Sequence, residues 1–343
     1  MKKNTEYPLL PIFLLLLACD SKDKIEFSKV RLKKQVSVFS DSSFFGNVND
    51  ALFNNGHLLI TDNSQNRILL CDTSFNKAVS YGGTGDGPGE FRGVMRSYIK
   101  NNMVFTVDSR SGAISVFSLD GKFVKRITYP QKSYSFCRFA VDDSLKIYKP
   151  DAENDSSMVK LDTSGRVVKQ FGSIFPGKNP REKRARSEKH IFLSKDNQLI
   201  CVSLSEPLIE FYSTNGKKLR EFNLSESPYL KGRLDFAEKE YRQDPKNRES
   251  IYFLFQDAYL VNNHLYLLYI DQREQNGRNR PAPDKVLIYA VEPNTLQFYK
   301  ALDLNEKREE LLWCLSIAVT SDEKMIYAYS AGRLSEWRIF NIQ

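Results

Sequence analysis

Six times along the chain a short polar turn gives way to a run in which apolar, β-branched and aromatic residues crowd together. The turns are Asn54-Asn55-Gly56, Asn101-Asn102, Asp142-Asp143-Ser144, Asp196-Asn197, Asn262-Asn263 and Ser321-Asp322-Glu323. Runs such as Leu58-Leu59-Ile60-Thr61, Leu199-Ile200-Cys201-Val202 and Met325-Ile326-Tyr327-Ala328 follow them. Their length and composition predict strands rather than helices.

Downstream of most of these runs a second hairpin recurs, around Asp120-Gly121, Ser164-Gly165 and Asn215-Gly216. Glycine there supplies the positive φ that tight hairpin turns require. Two hairpins per unit and six units predict an all-β chain, a six-bladed β-propeller of four-stranded antiparallel blades. The turns recur roughly every 40–70 residues, a spacing suited to blades with insertions in the later units. The last unit has room for three strands, so the run from Ile25 to Phe39 is expected to supply its outer strand and close the ring.

The first residues follow another pattern. Lys2 and Lys3 precede an apolar stretch from Leu9 to Ala18, about half the ~20 residues that a membrane-spanning helix needs. It predicts a secretory signal over residues 1–18. The stretch ends Leu16-Leu17-Ala18-Cys19, which resembles the lipobox of bacterial lipoproteins; the resemblance implies lipid on Cys19, residues 19–25 as a tether, and residues 26–343 as the propeller. Membrane contact is then expected through the lipid alone, at the cell envelope, with an outer-membrane address expected and its periplasmic or surface side left open.

Of 343 residues 41% are apolar, enough for a large core, which excludes disorder and a small disulfide-stapled fold. The net charge of +8 is spread among alternating acids and bases, so nucleic acid is not the expected partner. Cys71, Cys137, Cys201 and Cys314 lie in apolar runs and are expected to be buried thiols.

The segment Tyr81-Gly82-Gly83-Thr84-Gly85-Asp86-Gly87-Pro88-Gly89-Glu90-Phe91 resembles the inter-blade loop of NHL-type propellers. Together with the lipobox, it makes the chain similar to the six-bladed propeller lipoproteins of Bacteroidetes. That resemblance implies a fold and an envelope address but no uniform activity. The loop lacks the Gly-Lys-Ser/Thr ending of a phosphate-binding loop, so its glycines are expected to serve the chain crossing.

Two places could bind a partner. Three long insertions, at 176–190, 225–250 and 271–285, are expected to emerge on one face above blades three to five. The first holds six bases and two acids, and the second places Leu230, Leu234, Ala237 and Tyr241 at helical spacing, predicting a lid helix. Arg181, Lys183, Arg184, Arg186, Arg278 and Arg280 would form a basic rim for an anionic glycan or an acidic envelope protein; the same segments also suit plain solvated insertions.

The second place is the central channel, where Asp50, Arg96, Arg138 and Asp257 occur a few residues before their turns. They could face one another as a mixed-charge funnel lined by trapped water. With Asn49, the two carboxylates could instead begin a calcium site for a lactonase-like hydrolase or lyase, although a hard cation needs about six oxygens. Three histidines without metal-ligand spacing offer no zinc site, and no catalytic triad stands out. The expected function is a non-catalytic binding or interaction module without a cofactor; calcium-dependent catalysis is the alternative.

Overall fold

A computed structural model describes residues 25–39, 44–76, 78–130, 135–152, 155–243, 252–275, 278–305, 312–331 and 335–342. The expected leader, Cys19 and the expected tether through residue 24 lie outside the described residues. Among those described, no helix is long and apolar enough to cross a membrane.

Six antiparallel sheets follow one another around a ring. Blade one is Val48–Asn54, His57–Asp62, Arg67–Asp72 and Ala78–Gly82. Blade two is Val94–Lys100, Met103–Asp108, Ala113–Ser118 and Phe123–Thr128. Blade three has short strands, Ala140–Val141, Ile147–Pro150, Met158–Leu161 and Val167–Phe171, and blade four runs Lys189–Leu193, Gln198–Ser203, Leu208–Ser213 and Lys218–Asn223. Blade five is Phe255–Val261, His264–Gln275, Arg278–Val291 and Leu296–Asp303. Blade six takes Cys314–Val319, Met325–Ser330 and Glu336–Asn341 from the C-terminal end of the chain.

Its fourth strand is Arg31–Val36, paired antiparallel with Glu336–Asn341. Just before it, Ser28–Lys29 runs parallel to the outer strand of blade five. The N-terminal segment therefore edges two blades, where the sequence suggested one.

The apolar clusters sit between neighbouring blades, as expected when each blade buries both faces. Trp337 is fully buried against Phe75, Tyr329 and Phe45, where the N-terminal strand joins the ring. Tyr266, Tyr269, Tyr327 and Tyr329 are likewise buried. Cys71, Cys137, Cys201 and Cys314 are buried free thiols; burial pushes the Cys71 thiol up to about 12. Cys137 lies in the loop before blade three, outside any strand.

All six polar turns join a first to a second strand. Asn101 and Asn102, at φ 51° and 56°, and Asn262 and Asn263, at 45° and 66°, have the double positive φ of the tightest hairpins. The glycine segment is the crossing from blade one to blade two: Phe91 is buried, and the Glu90 carboxylate accepts the Gly87 N–H at 2.7 Å, so the loop closes on itself.

Gly165 turns the last hairpin of blade three with φ +86°, and a Cβ there would stand 1.9 Å from the Thr128 carbonyl oxygen of blade two. Gly165→Ala is expected to cost about 1–3 kcal/mol through strain at this junction, read as a lowered Tm. An unchanged Tm would show that the turn can swing away from blade two.

Candidate functional site

The first strands line the channel, and in four of the six blades a local irregularity sets which side chain points inward. In blades one, two, five and six the register slips by one residue at the same place, directly before Asp50, Arg96, Asp257 and Ser316. A bulge of this kind bends the strand and re-aims the next side chain.

The result is a closed knot of charge. Arg138 reaches across the axis: its Nε and Nη2 donate to the two Asp257 oxygens at 3.0 and 2.7 Å, and Nη1 stands 2.8 Å from Asp50 Oδ1. Its remaining N–H groups meet the carbonyls of Ala51 at 3.3 Å and Ile317 at 3.1 Å. A guanidinium has five N–H donors; four hydrogen bonds and the ion pair to Asp50 commit this one. Arg96 donates from Nη1 to Asp50 Oδ1 at 3.2 Å and from Nε to the Phe136 carbonyl at 2.6 Å.

Backbone and hydroxyl donors complete the carboxylates. Ser97 N–H donates to Asp50 Oδ2 at 2.8 Å, while the Ser316 hydroxyl and Ile317 N–H donate to Asp257 Oδ2 at 2.9 and 3.0 Å. All four charged side chains are at most 5% exposed. Burial alone would raise the Asp257 carboxyl, but the charges of Arg138 and Arg96 outweigh it and hold the group well below the ordinary carboxylate range. Arg138 is correspondingly raised: burial works against its charge, and Asp257 and Asp50 overcome that.

Blade four contributes His190, whose Nδ1 accepts the backbone N–H of Arg138 at 3.1 Å. The backbone at Arg138 also takes the Ile191 N–H on its carbonyl at 3.0 Å, so it is tied sideways to blade four, and blade three's first strand shrinks to Ala140–Val141. With Nδ1 as acceptor, the imidazole proton sits on Nε2, which is buried without a partner. Burial pushes His190 down to about 3.

The four charged residues thus face one another and close into a compact ion cluster. Asn49 stands apart, its amide 3.6 Å from the Met95 sulfur. The donor set does not fit calcium: each Asp50 and Asp257 oxygen already accepts at least one N–H or O–H, and a hard cation needs about six open oxygens. Among the described residues, no three of His, Cys, Asp or Glu group to hold a metal. Beyond the cluster, toward the six short turns, a cavity of about 120 Å³ lies between Leu52, Ser97, Tyr98, Arg138, Phe139 and Tyr259.

On the opposite face the insertions have more order than their sequences suggested. Residues 180–187 form helix α1, Pro180–Ser187, whose N-cap Asn179 accepts the Glu182 N–H at 2.9 Å. Helix α2, Pro228–Gln243, realises the helical spacing; Leu230 is buried, Leu234 and Ala237 are half-buried, and the Tyr241 side chain lies outside the described residues. It packs along the second strand of blade five, with Arg233 donating to Gln272 at 2.6 Å. Residues 271–285 are largely not a loop but an outward extension of a blade-five hairpin, Asp271 pairing Ala282 and Arg273 pairing Arg280.

The bases of the expected rim fare differently from one another. Arg181 and Arg280 are exposed, and the Arg278 side chain lies outside the described residues. Lys183 stands 3.5 Å from Asp155, Arg186 is paired with Glu206 at 2.6 Å, and Arg184 is half-buried. Lys189, which the charge pattern placed in the same basic run, is fully buried and ion-paired with Glu210, because it begins blade four's first strand.

Comparison with known families resolves the kinship. Residues 38–300 match the model of a family described as a 6-bladed beta-propeller, DUF5128. The chain belongs to this six-bladed propeller family. A family member is thereby set among distant structures of the same shape. One is a Bacteroides fragilis protein described as exported: 14% identity, 91% of this chain and 94% of that one covered, TM-score 0.57. A DUF4221 family member from Bacteroides vulgatus shares 11% identity over 91% of this chain and 97% of its own, TM-score 0.56. Virginiamycin B lyase from Staphylococcus aureus shares 12% identity over 92% of this chain and 100% of its own, TM-score 0.52. At these identities the propeller family member shares their fold alone. Comparison with curated proteins finds no match.

His190, Ser97 and Ser316 were missed in the sequence. His190 and Ser316 hold the place in their first strands that Asp50, Arg96 and Asp257 hold in theirs, a signal that laying the six first strands side by side would have revealed, while Ser97 stands one residue beyond Arg96.

Proposed function

We propose that this propeller is a non-catalytic binding module held at the bacterial cell envelope, and that its partner is an anionic glycan or an acidic envelope protein meeting the face that carries α1, α2 and the extended hairpin. One observation carries the reading: the channel carboxylates are committed to Arg138 and Arg96, so the channel serves cohesion. The elaboration lies instead on one face, with Arg181 and Arg280 exposed there, and long loops on a rigid scaffold are common seats of recognition. The lipobox-like Leu16-Leu17-Ala18-Cys19 supports the envelope address.

The calcium-dependent hydrolase or lyase remains the competing reading and is tested on the same protein. The mature domain is expected to melt at the same temperature in EDTA and across a calcium titration, because a ligand of the native state alone would raise Tm. A saturable rise would hand the channel to the enzyme reading. Polygalacturonate serves as the anionic probe: the triple variant Arg181→Glu, Lys183→Glu, Arg280→Glu is expected to bind it at least tenfold more weakly by isothermal titration. Unchanged affinity, or no binding by the native protein, would sink the anionic-partner reading.

A further inference from the structure

The outer strands carry a second recurring irregularity. In five of the six blades the pairing of third and fourth strands skips one residue: in blade six it is Lys33, and in blades two to five it is Val124, Val168, Leu219 and Tyr299. In blades two to five the skipped side chains stand outward, 52%, 50%, 43% and 62% exposed. In the first three of these the exposed residue is a lone aliphatic, of no consequence on a protein surface. Blade five differs in kind, because Tyr299 has exposed Phe298 beside it, and Phe298 stacks on Tyr229 at 5.2 Å. Tyr229 in turn meets Phe27 edge-on at 5.4 Å and donates its hydroxyl to the Glu26 carbonyl at 3.0 Å.

The described chain therefore begins on this aromatic patch, at Ile25, itself 46% exposed. Residues 20–24 separate it from Cys19, six residue steps that span about 20 Å at most, at ~3.5 Å per residue. A folded chain of this length is about 50 Å across, so such a tether cannot bring the far side of the ring to a bilayer while blade five faces away. Tyrosine and phenylalanine are the side chains suited to the boundary between headgroups and acyl chains, with an apolar body and, in tyrosine, a polar tip.

Resting on the envelope-anchored reading above, we infer that the outer edge of blade five, through Phe298, Tyr299, Tyr229 and Ile25, docks onto the membrane surface that holds the lipid of Cys19. The ring then stands on its edge at the bilayer, and both the face carrying α1 and the face of short turns remain open to the surrounding space.

The test uses the purified lipoprotein in phosphatidylethanolamine–phosphatidylglycerol vesicles, after mass spectrometry for the lipid on Cys19. Phe298→Trp and Val124→Trp place reporters on opposite blades, five and two, and brominated acyl chains quench a tryptophan at the interface. The native protein supplies the background from Trp313 and Trp337. Quenching of the added fluorescence several-fold stronger for Phe298→Trp than for Val124→Trp is the expected result. Equal quenching, or none, in lipid-bearing protein would overturn the docking while leaving the anchor standing. Absence of lipid on Cys19 would overturn the anchor and the docking together. A dimer of the Cys19→Ser protein that Phe298→Asp dissolves would assign the patch to a second copy and also overturn the proposal.

Discussion

Arg138→Met is expected to destabilise the propeller by about 3–5 kcal/mol, the cost of breaking a buried ion network from one side. Methionine retains much of the volume but leaves Asp50 and Asp257 facing each other with a single guanidinium, Arg96, between them. It also strips the Ala51 and Ile317 carbonyls of their donors. Adding Asp257→Asn is expected to recover part of the loss, since one unpaired charge is removed while the amide oxygen still accepts from Ser316 and Ile317. Equilibrium denaturation of the two single variants and the double gives the coupling directly. Additive losses would mean that Arg138 and Asp257 act independently, contrary to the geometry.

The second large effect follows pH. His190 is neutral in the folded protein, with its pKa at about 3, whereas an unfolded histidine titrates near 6.5. Below pH 6.5 the unfolded chain binds a proton that the folded one refuses, so stability falls as pH drops and is fully present only above that value. Between pH 7 and pH 5 the loss is expected to be on the order of 2 kcal/mol, a fall of a few degrees in Tm. His190→Gln keeps an acceptor for the Arg138 N–H and removes the titration, so its Tm should fall less over the same interval. Parallel curves for native and variant protein would show that His190 takes no part in the acid response.

These effects mark where the sequence was readable and where it was not. The six polar turns and the runs after them announced the blades because side chains alternate across a strand, and that local pattern survives every long-range arrangement. The incomplete last unit pointed to closure by the N-terminal run for the same reason. Asp50, Arg96, Arg138 and Asp257 were recognisable as channel residues from their distance to the turns. Their pairing was not, because it depends on bulges with no residue signature and on ring closure that brings positions 119 apart within hydrogen-bonding distance.

Other misses are chemical. Helix α1 was hidden by its charge, although Asn179-Pro180 followed by Glu182 is a readable start signal. Pro281 and Pro283 argue against a strand in any central position, yet they sit in the outward arm of the blade-five hairpin, where few further partners are needed.

The seam between Arg31–Val36 and Glu336–Asn341 bears on how the protein is made. Gln35 and Glu336, neighbours across it, are 301 positions apart. A chain delivered from its N-terminus must hold its earliest strand in waiting while five blades assemble, and contacts of such sequence separation form slowly. The ring cannot seal until Glu336–Asn341 has arrived, so a polypeptide interrupted before Trp337 leaves Arg31–Val36 without a mate, a state that proteases can distinguish from the finished molecule.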